Sequence, residues 1–346
     1  MDDNLNAAAS STATLPMPTL HRRYPLRRST HYDAALADEV DTWFLSYGLL
    51  TSSRQQEHYR STNHTYLASV CWPCADRRTL ADLARLAAAL MARDHAIDST
   101  SHRQALSTTH HFLQDAEHHF TPHPGRNGPW TPLFADLWQR IATHQPERFM
   151  NRLAAAIATY LRGCLTRHRM IVGRAQPTDL HTYLKVRRYT IAQHIDHLLT
   201  EMSLRIELHH ATLTHPLMRR LHDADIKRTI LVQDLLSASR ELAAGETENV
   251  IAVLAAEHNC TPSQALPHAI SLFEQAMDAY DTTHRQILDT HLARHGATRA
   301  YLNALNDFNS GLIEWTTHSP RYSGNACPRW TTPDEIVHPT TRAAES

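Results

Sequence analysis

Three short segments of the chain carry polar side chains whose types and spacing could bind a metal ion and an anion. They cover residues 94–98, 233–241 and 315–322. The first two present carboxylate, amide and hydroxyl oxygens, which are the hard ligands that Mg²⁺ prefers. The third ends in an Arg-Tyr pair, and guanidinium and phenol groups suit phosphate oxygens. Together the segments predict a site that holds a diphosphate through metal ions.

The first segment, Asp94-His-Ala-Ile-Asp98, places two carboxylates one helical turn apart. Residues i and i+4 lie on one face of a helix, so Asp94 and Asp98 point into the same groove. The alternative without a functional role is a pair of solvent-exposed acids at a helix end. The strongly apolar stretch over residues 79–91 and the small polar residues 99–101 favour the first interpretation, because they place both acids at the rim of an apolar face.

The second segment aligns Gln233, Ser237 and Glu241 at i, i+4 and i+8. These positions form one polar stripe along a helix, and aliphatic residues flank it. An amide, a hydroxyl and a carboxylate in line could chelate a hard cation. The alternative is simply the solvated side of an amphipathic helix.

The third element is basic. Arg187 precedes the second segment, Arg240 adjoins Glu241, and the pair Arg321-Tyr322 follows Trp315. Guanidinium groups bind phosphate oxygens in a bidentate manner, and a phenol donates one further hydrogen bond. Each arginine alone is more often an ordinary surface residue.

Long amphipathic helices must position these segments. The predicted helices include residues 76–98, 178–208 with a break near 188–192, 224–242 and 297–317. Glycine is scarce, with 9 residues in 346, and continuous β-branched runs are nearly absent. The sequence therefore predicts an all-α fold, and 42% apolar residues suffice for one large core.

One helical domain over residues 26–322 is the simplest organisation, with a disordered segment over 1–25 and a tail over 323–346. The 34 basic and 35 acidic residues nearly balance, which argues against a nucleic-acid partner. No stretch reaches the roughly 18 apolar residues of a membrane span, and no signal peptide is recognisable. A cytoplasmic protein is therefore expected, and a homodimer is compatible with the sequence.

Two other patterns could carry chemistry. Cys71-Trp-Pro-Cys74 has the spacing of a redox pair, but no βαβ pattern surrounds it. His111, Asp115 and His119 would share one helix face, as transition-metal ligands can. Since 27 histidines are spread over the whole chain, compositional bias explains this second pattern equally well.

The three segments in this order resemble the bacterial class I terpene synthases (terpene cyclases). That family carries an Asp-rich DDxxD segment, an N/D-D-x-x-S/T-x-x-x-E metal triad, an upstream arginine that senses diphosphate, and a C-terminal Arg-Tyr pair. Asp94 lies 139 residues before Gln233, and Arg187 lies 46 residues before it. The resemblance covers roughly residues 30–325. The matching positions are Asp94, Asp98, Arg187, Gln233, Ser237, Arg240, Glu241, Trp315, Arg321 and Tyr322.

Two positions depart from the family pattern. His95 replaces the second aspartate of the Asp-rich segment, and Gln233 replaces the usual Asn or Asp. Asp94, which the resemblance makes the main metal ligand, is retained. Gln233 keeps an amide oxygen but adds a methylene, and Mg²⁺ tolerates poor geometry badly. A catalytically degenerate helical binding protein is therefore an alternative to an active enzyme.

The resemblance implies a helical bundle around an apolar cavity, with three Mg²⁺ ions at its mouth and Mn²⁺ as a substitute. It assigns the metal to Asp94, Asp98, Gln233, Ser237 and Glu241. It assigns the diphosphate to Arg187, Arg240, Arg321 and Tyr322. Ionisation would leave an allylic cation, which the ring of Trp315 could stabilise by about 0.5–2 kcal/mol.

Substrate length is predicted from residues 87–91, Ala-Ala-Ala-Leu-Met. Small residues in the helix that leads into the metal site would leave a longer cavity. This favours geranylgeranyl diphosphate and a diterpene product over farnesyl diphosphate and a sesquiterpene. Chain-elongating prenyl synthases are argued against, because they carry two Asp-rich segments where this chain has one.

Overall fold

The all-α prediction is confirmed. The computed structural model describes residues 15–98, 100–121, 128–173, 177 and 179–322, and within these ranges it contains helices and no strand. The α-helices of the described residues are α1 (Ala34–Leu45), α2 (Ser53–Thr62), α3 (His64–Cys71), α4 (Arg77–Asp98), α5 (His102–Glu117), α6 (Thr131–Ala142), α7 (Glu147–Val172), α8 (Leu180–Thr190), α9 (Gln193–Ser203), α10 (His210–Thr214), α11 (Pro216–Ala243), α12 (Val250–Glu257), α13 (Pro262–Leu288) and α14 (Gly296–His318). A 3-10 helix, His291–Arg294, precedes α14.

The two helices that carry the predicted metal segments form for clear local reasons. Before α4, the Asp76 side chain accepts a hydrogen bond from the backbone N–H of Thr79 at 2.9 Å, which satisfies a free donor at the helix start. Helix α11 begins at Pro216, eight residues before the predicted start. Proline suits the first turn, where its missing N–H costs nothing. Polar residues interrupt the apolar pattern in that first stretch, so the pattern did not predict this part of the helix.

The predicted break near residues 188–192 is present between α8 and α9. Ala192 has φ 64°, a left-handed conformation in which a Cβ costs roughly 1–2 kcal/mol. This conformation ends the regular helix between Thr190 and Gln193. Arg187 lies in the last turn of α8, just before the break.

The core is built by helices that pack in long contacts. Helix α11 lies along α13, α5 along α7, and α3 packs between α4 and α14. One large cluster of buried side chains fills the bundle, and a smaller one lies around Tyr280 and Tyr301. These contacts fix α4, α7, α11 and α14, which position the functional side chains described below.

Helix α14 crosses α3 with the two backbones in direct contact at Gly311. A Cβ on Gly311 would lie 2.2 Å from the carbonyl oxygen of Val70. Backbone cannot rotate away as a side chain can, so only glycine fits here. This crossing sets the path of the helix that leads to Arg321 and Tyr322.

Gly311→Ala is therefore expected to lower the free energy of unfolding by about 1–3 kcal/mol, because the added methyl group must push α3 and α14 apart. Urea denaturation measures this loss. Gly296→Ala is the matched control, since Gly296 is exposed in the first turn of α14 and a Cβ added there would have no atom within 4 Å. Equal stability of the two variants would contradict a direct contact between the backbones of α3 and α14 at Gly311.

The segment before α1 differs from the predicted disorder over residues 1–25. Its described part, residues 15–25, packs against the bundle, and Leu15 and Leu20 are buried. Arg22 pairs with Glu314 of α14, and the Arg23 guanidinium lies 2.6 Å from Asp278 of α13. A groove of about 390 Å³ lies between this segment and α14, and it contains none of the predicted site residues. Residues 1–14 and the predicted tail over 323–346 lie outside the described residues.

The two other sequence patterns gain no support. Cys71 is buried, and burial raises the pKa of its thiol, whereas a redox-active thiol needs a lowered pKa. Asp115 accepts a hydrogen bond from the Thr131 hydroxyl at 2.7 Å, and the His119 ring packs against Trp138. Among the described helices, none is long and apolar enough to cross a membrane.

Candidate active site

Asp94 and Asp98 lie in the last turn of α4, as predicted. The Tyr160 hydroxyl of α7 donates a hydrogen bond to Asp94 Oδ2, and an Arg93 guanidinium nitrogen lies 3.7 Å from Oδ1. Asp98 Oδ1 lies 3.4 Å from Nη1 of Arg167. Both carboxylates are thus held by α7 on one side and are open on the other.

The surroundings of Asp94 indicate a concave site. Its side chain keeps 38% of its surface accessible. Burial nevertheless raises the pKa of the carboxyl group, while Arg93 and the Tyr160 hydroxyl oppose that rise. A group that solvent can reach although protein surrounds it lies in a cleft rather than on a convex surface.

The predicted stripe is present on α11, and its two ends have partners. The Tyr322 hydroxyl donates to Gln233 Oε1 at 3.0 Å. Glu241 accepts from Arg240 Nη2 and from the Asn249 side-chain amide, each at 2.9 Å. The Gln233 contact joins the second and third segments, although 89 residues separate the two side chains.

The charges that act on Asp94 link the first segment to the same region. Arg321 is one of the positive charges that lower the pKa of Asp94 against the effect of burial. Burial, followed by Arg321 and Arg240, lowers the pKa of His58 on α2. The His58 ring lies 5.6 Å from the ring of His95, which adjoins Asp94. The stripe on α11 and the Arg-Tyr pair are therefore in contact, and the C-terminal part of α4 lies near enough for Arg321 to act on Asp94 electrostatically.

Arg187 is anchored by a residue that sequence reasoning missed. Its Nε and Nη2 atoms each lie 3.2 Å from Oδ1 of Asp234, which is buried. Asp234 Oδ2 also accepts from the Tyr183 hydroxyl at 2.5 Å and from the backbone N–H of Val250 at 3.2 Å. Burial alone would lower the pKa of Arg187, but Asp234, Tyr183 and Glu241 together outweigh it and raise that pKa. The guanidinium is thus charged and fixed. Asp234 directly follows Gln233, and its position inside an apolar run was the available signal.

Two further residues at the mouth had no role in the sequence prediction. Arg167 of α7 bridges Asp98 and Glu248, with Nη2 2.6 Å from the Glu248 carboxylate. Asn249 follows Glu248 and, besides Glu241, contacts the backbone carbonyl of Asp234 at 2.7 Å. The loop between α11 and α12 therefore supports Glu241 from outside the helix.

Ser237 and Trp315 lie inside the protein. Ser237 is buried on α11 between Gln233 and Glu241. The Trp315 indole N–H donates to the carbonyl of Thr62 at 2.9 Å, and its ring meets the Tyr322 ring edge-on at 5.6 Å. These contacts make Trp315 a support for Tyr322, and its effect on a bound cation stays a prediction.

The residues present fit Mg²⁺ that is bound together with a diphosphate. Among the described residues, no three His, Cys, Asp or Glu side chains lie close enough to hold a metal ion by themselves. The predicted donors are two carboxylates on α4, and one carboxylate, one amide and one hydroxyl on α11. Mg²⁺ is usually held by one or two carboxylates, with phosphate oxygens and water completing the octahedron.

Comparison with known families decides the class of this site. The family model described as "Terpene synthase family 2, C-terminal metal binding" matches residues 85–279, more than half of the chain. The protein belongs to the class I terpene synthase family. Terpene synthases are lyases that act on isoprenyl diphosphates, so the protein is an enzyme of that class and uses a divalent metal.

Individual terpene synthases are similar over most of their length. The (+)-eremophilene synthase of Sorangium cellulosum is 26% identical over 310 residues, which cover 87% of this chain and 92% of that protein. The "(+)-T-muurolol synthase ((2E,6E)-farnesyl diphosphate cyclizing)" of Roseiflexus castenholzii is 24% identical, with 87% and 92% covered. The crystal structure of a-eudesmol synthase superposes with a TM-score of 0.77 at 20% identity, covering 87% of this chain and 99% of that one. The last comparison establishes the fold.

Proposed function

We propose that this terpene synthase is a Mg²⁺-dependent sesquiterpene cyclase that ionises farnesyl diphosphate, cyclises the allylic cation and releases diphosphate. The observation that carries the proposal is the convergence of Asp94, Gln233 and the Arg321-Tyr322 pair from three distant parts of the chain. The predicted oxygen ligands and the predicted phosphate-binding groups would then face one cleft.

Farnesyl diphosphate is favoured over geranylgeranyl diphosphate for two reasons. The similar (+)-T-muurolol synthase is named for cyclising (2E,6E)-farnesyl diphosphate. In addition, Ala88 and Ala89 are fully buried in the packing between helices. These two small residues do not lengthen a substrate cavity, which leaves Ala87, with its partial exposure, as the small residue of this stretch that could.

The side chains of the protein would act mainly by stabilising the negative charge of the leaving diphosphate. Arg187, Arg240 and Arg321 offer positive charge to the departing diphosphate, and Tyr322 offers a hydrogen bond. Arg187 and Arg240 are already oriented by Asp234 and Glu241, so little reorganisation is needed when charge develops. Bound Mg²⁺, held by Asp94, Asp98, Gln233, Ser237 and Glu241, would supply Lewis-acid charge to the same leaving group. The resulting allylic cation would need surroundings that exclude water.

Incubation of the purified protein with Mg²⁺ and, separately, geranyl, farnesyl or geranylgeranyl diphosphate tests the proposal. Gas chromatography–mass spectrometry is expected to detect a cyclic C15 hydrocarbon or alcohol from farnesyl diphosphate, and no product when EDTA removes the metal. A cyclic product from geranylgeranyl diphosphate alone would overturn the chain-length proposal. Diphosphate binding without product from any substrate would overturn the catalytic one.

A further inference from the structure

One hydrogen bond joins α7 to Asp94 among the described residues, and the Tyr160 hydroxyl donates it. Tyr160 is buried in the middle of α7, between the fully buried Ile157 and Leu161. Its hydroxyl donates to Asp94 Oδ2. Since α7 packs along α5 and α8, the hydroxyl is held by a rigid element rather than by a loop.

The direction of this hydrogen bond is fixed by the chemistry of the two groups. A phenol carries its proton at neutral pH, whereas an ionised carboxylate has only acceptor atoms. The phenol therefore stays protonated and donates. An ionised carboxylate has about four acceptor positions on two oxygens, so one bond from Tyr160 leaves three of them for other partners.

A carboxylate held in this way is prepared to bind metal. Without the hydroxyl, the Asp94 side chain could rotate about its terminal bond, or turn towards the Arg93 guanidinium 3.7 Å away. Partners that orient a metal-binding carboxylate typically change metal affinity or activity by about 10–100-fold when removed. Nothing in the sequence motifs marks Tyr160, which lies 66 residues from Asp94.

We propose that Tyr160 is a positioning residue of the metal site: its hydroxyl fixes the Asp94 carboxylate in the orientation that binds Mg²⁺. Tyr160 does this through Asp94, without binding the ion or the substrate. The inference rests on the proposed metal-binding role of Asp94.

Tyr160→Phe tests the inference, because it removes only the hydroxyl and keeps the ring that fills the core. The Mg²⁺ concentration for half-maximal turnover of farnesyl diphosphate is expected to rise about tenfold or more, whereas turnover at saturating Mg²⁺ recovers to near the wild-type value. Binding of Mn²⁺ in the presence of inorganic diphosphate, followed by electron paramagnetic resonance of the free ion, is expected to weaken by the same factor.

Tyr301→Phe is the matched control. Tyr301 is also buried, and its hydroxyl bonds to His222 at 2.9 Å in the smaller core cluster. This variant loses a comparable hydrogen bond and is expected to keep wild-type metal affinity. Equal weakening of Mn²⁺ binding in both variants, or wild-type binding in Tyr160→Phe, would overturn the inference.

A double variant separates positioning from general damage. In the Asp94→Asn background, Tyr160→Phe is expected to cause no additional loss of Mn²⁺ affinity, because the residue acts through Asp94. Full additivity of the two losses would refute the mechanism. The Mn²⁺ measurement needs no turnover, so an inactive wild-type protein whose metal binding depends on Tyr160 would refute the proposed function alone.

Discussion

Glu241→Gln is expected to lower turnover of farnesyl diphosphate by roughly a hundredfold or more and to leave the fold intact. The substitution keeps the size of the side chain but replaces a charged ligand with a neutral amide, which binds Mg²⁺ more weakly. Glu241 lies at the end of the α11 stripe, where Arg240 and Asn249 hold it. Product formation at several Mg²⁺ concentrations measures the loss.

Glu274→Gln is the control for this prediction. Glu274 is an exposed carboxylate on α13 that pairs with Arg23, so the same change removes a charge and an arginine partner away from the site. It is expected to retain wild-type turnover. If Glu241→Gln retained wild-type turnover and the same Mg²⁺ requirement, the metal assignment of the stripe on α11 would be wrong.

The sequence predicted those parts of the site that local spacing determines. Asp94 and Asp98 share a helix face because of the period of the α-helix, and the same holds for Gln233 and Glu241. The helix break before Ala192 was also predictable. These features depend on a few neighbouring residues, so a pattern in the chain is enough to find them.

The parts that the sequence did not predict depend on contacts between distant elements. Tyr160 and Asp234 are buried polar residues within helices, and they gain their partners only where α7 approaches the end of α4 and where α8 packs on α11. Residues 15–25 likewise pack through buried leucines and through ion pairs with α13 and α14, more than 250 residues away in sequence. No local pattern encodes such partners.

Asp234→Asn is expected both to lower the free energy of unfolding and to weaken diphosphate binding. Asp234 is the buried carboxylate that faces Arg187, and its loss leaves a guanidinium without its counter-charge. Breaking such a pair costs about 3 kcal/mol in unfolding free energy. A displaced Arg187 is also expected to weaken inhibition by inorganic diphosphate roughly tenfold. Urea denaturation and inhibition kinetics at low temperature measure the two effects separately.

Asp225→Asn distinguishes a local role of Asp234 from general destabilisation. Asp225 is buried on the same helix and pairs with Arg228 at 2.7 Å and with His197 at 2.7 Å. Its loss is expected to cost a similar amount of stability, but diphosphate inhibition should be unchanged, since neither partner belongs to the site. Equal weakening of inhibition in both variants would mean that Asp234 acts only on stability. A selective effect of Asp234→Asn would instead identify this carboxylate as the group that holds the diphosphate-sensing arginine in place.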